Sequence, residues 1–152
     1  MSSKTLIGFI IVGVISGLLL GLYLIDVKNT SQLVFVNGTS LSVVTEKFDF
    51  KKGEEIKIRV VNSGSEPLTF SDSSYGLKIT GLSGVLMYSP KPSPEFDSNS
   101  YMLDPLEEIE FVWDQTKNNG DPILEGLYKI RSTGFDQNQK KIEKSTTITI
   151  WK

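Results

Sequence analysis

Cysteine and histidine are both absent from this 152-residue chain. Without cysteine there are no disulfides, thiol nucleophiles or soft-metal sites, although cysteine usage alone does not reveal the compartment. The missing histidine excludes more, because Ser-His-Asp and Cys-His catalysis, zinc sites and ordinary copper sites all need imidazole or thiolate. Carboxylates, Lys and Tyr remain for acid–base work, and only hard cations such as Ca²⁺ for metal binding. Long basic runs are missing too. Lys and Arg never exceed two in succession, and the chain beyond residue 28 holds 14 basic against 17 acidic residues. This balance argues against a phosphate-backbone binder, so no nucleic-acid partner is expected.

Charge is scarcest at the start, where the first 28 residues hold only Lys4, Asp26 and Lys28. Residues 5–25, TLIGFIIVGVISGLLLGLYLI, carry no charge and no polar stripe. As a helix of about 1.5 Å rise per residue they would cover about 31 Å, the thickness of a hydrocarbon core. The run ends in Leu22-Tyr23-Leu24-Ile25-Asp26, without the small-x-small pair of a signal-peptidase site. The sequence therefore predicts an uncleaved signal anchor, with the lipid bilayer as its partner. The N-terminal amine and Lys4 on one side favour a short cytoplasmic N-terminus, residues 1–4, with the rest outside the cytoplasm. Two Asn-x-Ser/Thr triplets, at Asn29 and Asn37, are compatible with export. Gly13, Gly17 and Gly21 recur at every fourth position, which places a groove on one helix face for a second helix to approach.

After residue 32 the apolar period changes to two. Residues 42–50 carry apolar side chains at 44, 48 and 50, and residues 55–61 alternate charge with Ile or Val. Turn chemistry in Asn62-Ser-Gly-Ser-Glu-Pro67 precedes short strands at 68–70, 76–80 and 85–88. Residues 89–102 form a Pro-rich connection without periodicity. Alternation resumes at 108–113, with Ile109, Phe111 and Trp113 on one face, and again at 127–131 and 145–151. Seven or eight strands at this spacing predict an all-β, Ig-like antiparallel β-sandwich over residues 42–152. Residues 26–41 then form a linker, with 32–36 (QLVFV) as a possible extra edge strand.

The stretch WDQTKNNGDPILEGLYKI, residues 113–130, joins two of these strands. Asp114 suits a turn cap, Asn119-Gly120 a left-handed reversal, Gly126 a bulge or close approach, and Tyr128 a corner bond back to the backbone. Asp114, Asn118, Asn119 and Asp121 offer oxygen donors for Ca²⁺, but their spacing does not match the alternating pattern of a calcium loop. Architecture is the favoured reading, and no metal or cofactor is expected.

The frame formed by Trp113, Asp114, Gly120, Pro122, Gly126 and Tyr128 resembles the terminal hairpin of BsuPI-type domains, Ig-like sandwiches named for an intracellular proteinase inhibitor. The N-x-x-x-E-P step at 62–67, the hairpin 75–88 and the Leu103-Asp-Pro-Leu-Glu-Glu108 step are similar to that family as well. Together these cover about 110 residues. Leu106 and Gln115 stand where the family pattern has glycine. The resemblance implies the sandwich fold and, more remotely, protease inhibition, without identifying a reactive-site residue.

Three functions follow from these features. The favoured one is a non-enzymatic, single-pass membrane protein whose extracytoplasmic domain binds another protein. Its candidate contact is the loop bearing Tyr88, Pro90, Pro92, Pro94, Phe96 and Tyr101, since aromatics on a Pro-stiffened loop lose little entropy on docking. The alternative is a self-assembling subunit of an archaeal-type surface filament or an envelope or stator assembly, in which 32–36 pairs with a neighbour's sheet. An enzyme is disfavoured, because Glu107, Glu108 and Glu110 read as a solvated face rather than two carboxylates across a cleft.

Overall fold

The computed structural model describes residues 13–19, 33–92 and 101–152. The chain divides into two units, Met1–Thr30 and Ser31–Lys152. In the first unit, residues 13–19 are helical. Among the described residues, no helix is long and apolar enough to cross a membrane. The remainder of the 5–25 run, with Gly21, lies outside the described residues.

The second unit is all-β. Among its described residues are β1 (Leu41–Thr45), β2 (Asp49–Lys51), β3 (Ile56–Asn62), β4 (Leu68–Phe70), β5 (Lys78–Gly81), β6 (Leu86–Tyr88), β7 (Tyr101–Leu103), β8 (Glu108–Trp113), β9 (Gly126–Phe135) and β10 (Lys141–Trp151). They form two sheets. The first has the order β1-β3-β8, and the second β2-β10-β9-β4-β7, with β5 joined to both β9 and β6. One cluster of buried side chains fills the space between them. Ile56, Ile58 and Val60 of β3 meet Trp113 of β8, Tyr128 and Ile130 of β9, and Ile148 and Ile150 of β10. Alternation in the sequence makes this possible, because period-two placement sends every second side chain to one face.

Four expectations are corrected. First, residues 42–50 are two strands in different sheets. β1 pairs with β3, and after Thr45 the chain crosses over so that β2 pairs with β10. The crossing turn is held by Thr45 Oγ1 donating to Lys47 O at 2.8 Å and Thr149 N donating to Phe48 O at 2.8 Å. Second, β2 and β10 are parallel, so the sheets are not wholly antiparallel. Third, the connection after β6 ends in a strand, β7, paired with β4, which raises the number of described strands above eight. Fourth, residues 33–36 are not a strand. A backbone bond from Val36 N to Ser63 O at 2.9 Å holds them beside the end of β3.

Two buried amides tie distant turns together. Asn62 donates from Nδ2 to Glu66 O and Leu103 O, each at 2.8 Å, and its Oδ1 accepts from Gly64 N at 3.0 Å. Gln115 donates from Nε2 to Lys51 O at 2.7 Å and Glu54 O at 2.9 Å, and its Oε1 accepts from Gly53 N at 2.8 Å. Among the described residues, no buried side-chain nitrogen or oxygen lacks a partner. Buried polarity thus serves the backbone of turns, where an unmet group costs about 1–3 kcal/mol.

Candidate interaction surface

The turn after β8 has the architecture its sequence suggests. Asp114 Oδ1 accepts from Thr116 N at 3.1 Å and Thr116 Oγ1 at 2.6 Å, and the Thr116 hydroxyl is the main reason its carboxyl sits below the usual range. Gly120 adopts φ of +89°, where a side chain would be strained. Tyr128 Oη donates to Leu124 O at 2.6 Å, the corner bond expected of a tyrosine there. The oxygens weighed for Ca²⁺ accept hydrogen bonds within the turn or from the connection beside it. Asn119 Oδ1 accepts from Asp121 N, Asn119 Nδ2 donates to Asp121 Oδ2, and Asn118 Oδ1 accepts from Ser89 N.

That last bond links the turn to the Pro-rich connection. Asn118 N also donates to Met87 O at 3.0 Å, so this one residue clasps the end of β6 from both sides. Ser89 Oγ donates to Leu77 O at 3.0 Å. Tyr88 stacks against Trp113, with centroids 6.1 Å apart and planes at 27°, and Trp113 in turn meets Tyr128 edge-on at 6.1 Å. Burial, and secondarily the Asp114 carboxylate, raises the Tyr88 phenol above its ordinary pKa. At the other root Tyr101 lies edge-on to Tyr75 at 6.0 Å, and Tyr75 packs against Phe70 at 5.0 Å.

Of the candidate loop residues, Tyr88 and Tyr101 are therefore half-buried roots that pack on the core. Pro90 is half-buried, Pro92 is exposed, and Pro94 and Phe96 lie outside the described residues. Among the described residues of this connection, Lys91 and Pro92 are exposed. In the helical stretch, Gly13 and Gly17 are exposed, and a Cβ added at either meets no atom within 4 Å. Glu108 is paired with Arg59 at 3.0 Å, and Glu107 Oε2 accepts from Asp104 N.

A second surface was not anticipated. Phe35 is 52% exposed and Leu106 64%, and with Val36 and Pro105 they line one shallow apolar depression. Leu106 adopts φ of +71° in a turn closed by Glu107 N donating to Asp104 O at 3.0 Å. Pro105 and Leu106 occupy its two central positions, and the second of these normally favours glycine. The sequence carried one signal, a leucine where the resembled pattern has glycine. No family model matches this chain, and no curated protein matches it.

Proposed function

We propose that this chain is a non-enzymatic membrane protein: a single N-terminal span holds an immunoglobulin-like β-sandwich outside the cytoplasm, where the domain binds another protein. The observation that carries the binding reading is the fixation of both roots of the Pro-rich connection, Tyr88 on Trp113 and Tyr101 on Tyr75. A loop whose ends are set in a core presents its tip at low entropic cost. The immunoglobulin-like assignment is supported by the chain's change of sheet between β1 and β2 and by the Tyr128 corner bond. The likeness to BsuPI-type domains gains support from φ of +71° at Leu106 and +61° at Gln115, the two positions where that pattern has glycine. Anchoring rests on the uncharged run 5–25 and the repeated glycines within it, which also suit a helix–helix dimer.

A second reading, an assembly subunit, is favoured by the exposed apolar surface of Phe35, Val36 and Leu106. Protease inhibition ranks below both. The test is mild crosslinking of the full-length chain in its native membrane, followed by mass spectrometry, with residues 90–100 either native or replaced by a Gly-Ser segment of equal length. A distinct protein recovered only with the native segment supports the binding module. Self-crosslinks that survive the replacement, with no second protein, refute it and favour assembly. Release of the chain by alkaline extraction would separately refute the anchor.

A further inference from the structure

Bases that are scattered along the sequence converge on one face of the second sheet. Tyr128, Ile130 and Ser132 of β9 point into the core, so Lys129, Arg131, Thr133 and Phe135 point outward. Register places Lys78 of β5 directly opposite Arg131, and Lys141 of β10 directly opposite Phe135. Two like charges directly opposed on neighbouring strands destabilise a sheet. Glu143 offsets part of this, reaching Lys141 at 2.9 Å and Arg131 at 3.4 Å. Among the described residues, neither Lys78 nor Lys129 lies within ion-pair distance of a carboxylate.

This face is concave. A depression of about 250 Å³ is bordered by Lys78, Arg131 and Lys141, by the hydroxyl residues Ser71, Ser74 and Thr133, and by Phe135. Gly76 is part of its lining. It adopts φ of +63°, and a Cβ there would lie 2.1 Å from the Thr133 carbonyl oxygen, so only glycine lets the turn before β5 press against β9. Asp72 also lines the depression, its Oδ1 already accepting from Ser74 N and Ser74 Oγ, and Glu143 stands beside it, paired with Lys141 and Arg131.

We propose that this depression binds an acidic saccharide. Lys78 and Arg131 meet the carboxylate or sulfate through charge-assisted hydrogen bonds, which are stronger than neutral ones. Ser71 and Thr133 meet the ring hydroxyls, and the Phe135 ring offers the apolar surface that a sugar's C–H face needs and a bare polyanion does not. The lining is more polar than that of the mostly apolar pockets which take drug-like ligands, and this suits a hydrophilic saccharide. The site stands on the β-domain alone and holds whether or not residues 5–25 span a membrane.

The test is calorimetric titration of the full-length chain in detergent with galacturonate oligosaccharides, sulfated oligosaccharides, neutral maltooligosaccharides and polyglutamate. The expected result is saturable binding of at least one acidic saccharide series and none of the neutral one. Lys78→Gln should weaken it about tenfold, equivalent to about 1.4 kcal/mol, and adding Arg131→Gln should weaken it further. Lys57→Gln, on the other sheet, should leave it unchanged. Phe135→Leu, which keeps apolar volume but removes the ring, should weaken saccharide binding several-fold. Absence of saturable binding to both acidic series overturns the proposal, as does equal weakening by Lys57→Gln. Polyglutamate binding as well as the saccharides, with Phe135→Leu without effect, overturns it in favour of a simple polyanion surface. Unfolding temperatures of each variant separate lost binding from lost fold.

Discussion

Leu106 and Gln115 both take a positive φ, +71° and +61°, and their side chains are placed in opposite ways. A left-handed non-glycine residue costs roughly 1–2 kcal/mol. At Gln115 the side chain is 3% exposed and makes three hydrogen bonds to a turn some 62 residues away in sequence. The strain there is offset within the domain. At Leu106 the side chain is 64% exposed, and the backbone bonds of its turn are ones that glycine would make equally well. The leucine itself adds nothing to those bonds. Equal strain therefore marks two different roles, an internal tie at one turn and an outward-facing apolar side chain at the other.

The largest effect is expected at Gln115. Gln115→Ala keeps the strain and strips three bonds from buried groups, so it should lose about 3 kcal/mol in denaturant unfolding. Gln115→Gly removes the same bonds but relieves the strain, and should lose about 1 kcal/mol less, inverting the usual order of alanine and glycine. An alanine variant as stable as the glycine variant would show that φ at 115 carries no cost. Leu106→Gly should act in the opposite direction and stabilise by about 1 kcal/mol, a rise of a few degrees in Tm. A fall in Tm would mean that Leu106 packs usefully within the domain.

The smallest expected effect is on acid stability. Hydrogen bonds from Lys47, Thr116 and Lys141, respectively, are the leading causes that hold Glu54, Asp114 and Glu143 below their ordinary pKa values. A carboxylate with a depressed folded-state pKa contributes stability above its unfolded value, and that contribution is lost as pH falls through the folded one. The loss should therefore begin below about pH 4.5. All three groups lie near solvent, so together they should cost under about 1 kcal/mol. Unfolding scans from pH 6 to 3 at low and at 0.5 M salt would check this, with salt shrinking the effect.

Much of the two-sheet β fold was legible in the sequence because half-buried strands announce themselves by alternation. β3, β8 and the end of β10 lie where Ile58, Phe111 and Ile150 predicted, and the Asp114, Gly120 and Tyr128 roles follow from their chemistry. The crossing between β1 and β2 was hidden because Val44 and Phe50 share one parity in the sequence, whereas the core takes Leu41 and Val43 from β1 and Phe50 from β2. β7 was hidden because three residues beside a Pro-rich stretch show no period. The Gln115 tie and the convergence of Lys78 on Arg131 are products of long-range register, which a linear scan for basic runs cannot detect. The packing of Tyr88 on Trp113 and of Tyr101 on Tyr75 is likewise a long-range product that the loop's own sequence does not show.

The most direct test of the binding-module account sets the two outward surfaces against each other. A photo-crosslinking amino acid is placed at Pro92 or at Leu106 of the full-length chain, the native membranes are irradiated, and adduct masses are read. The account predicts a discrete adduct with a different protein from position 92. A ladder at multiples of the chain's own mass from position 106, with no adduct from position 92, would contradict it and make this chain a subunit of an assembly.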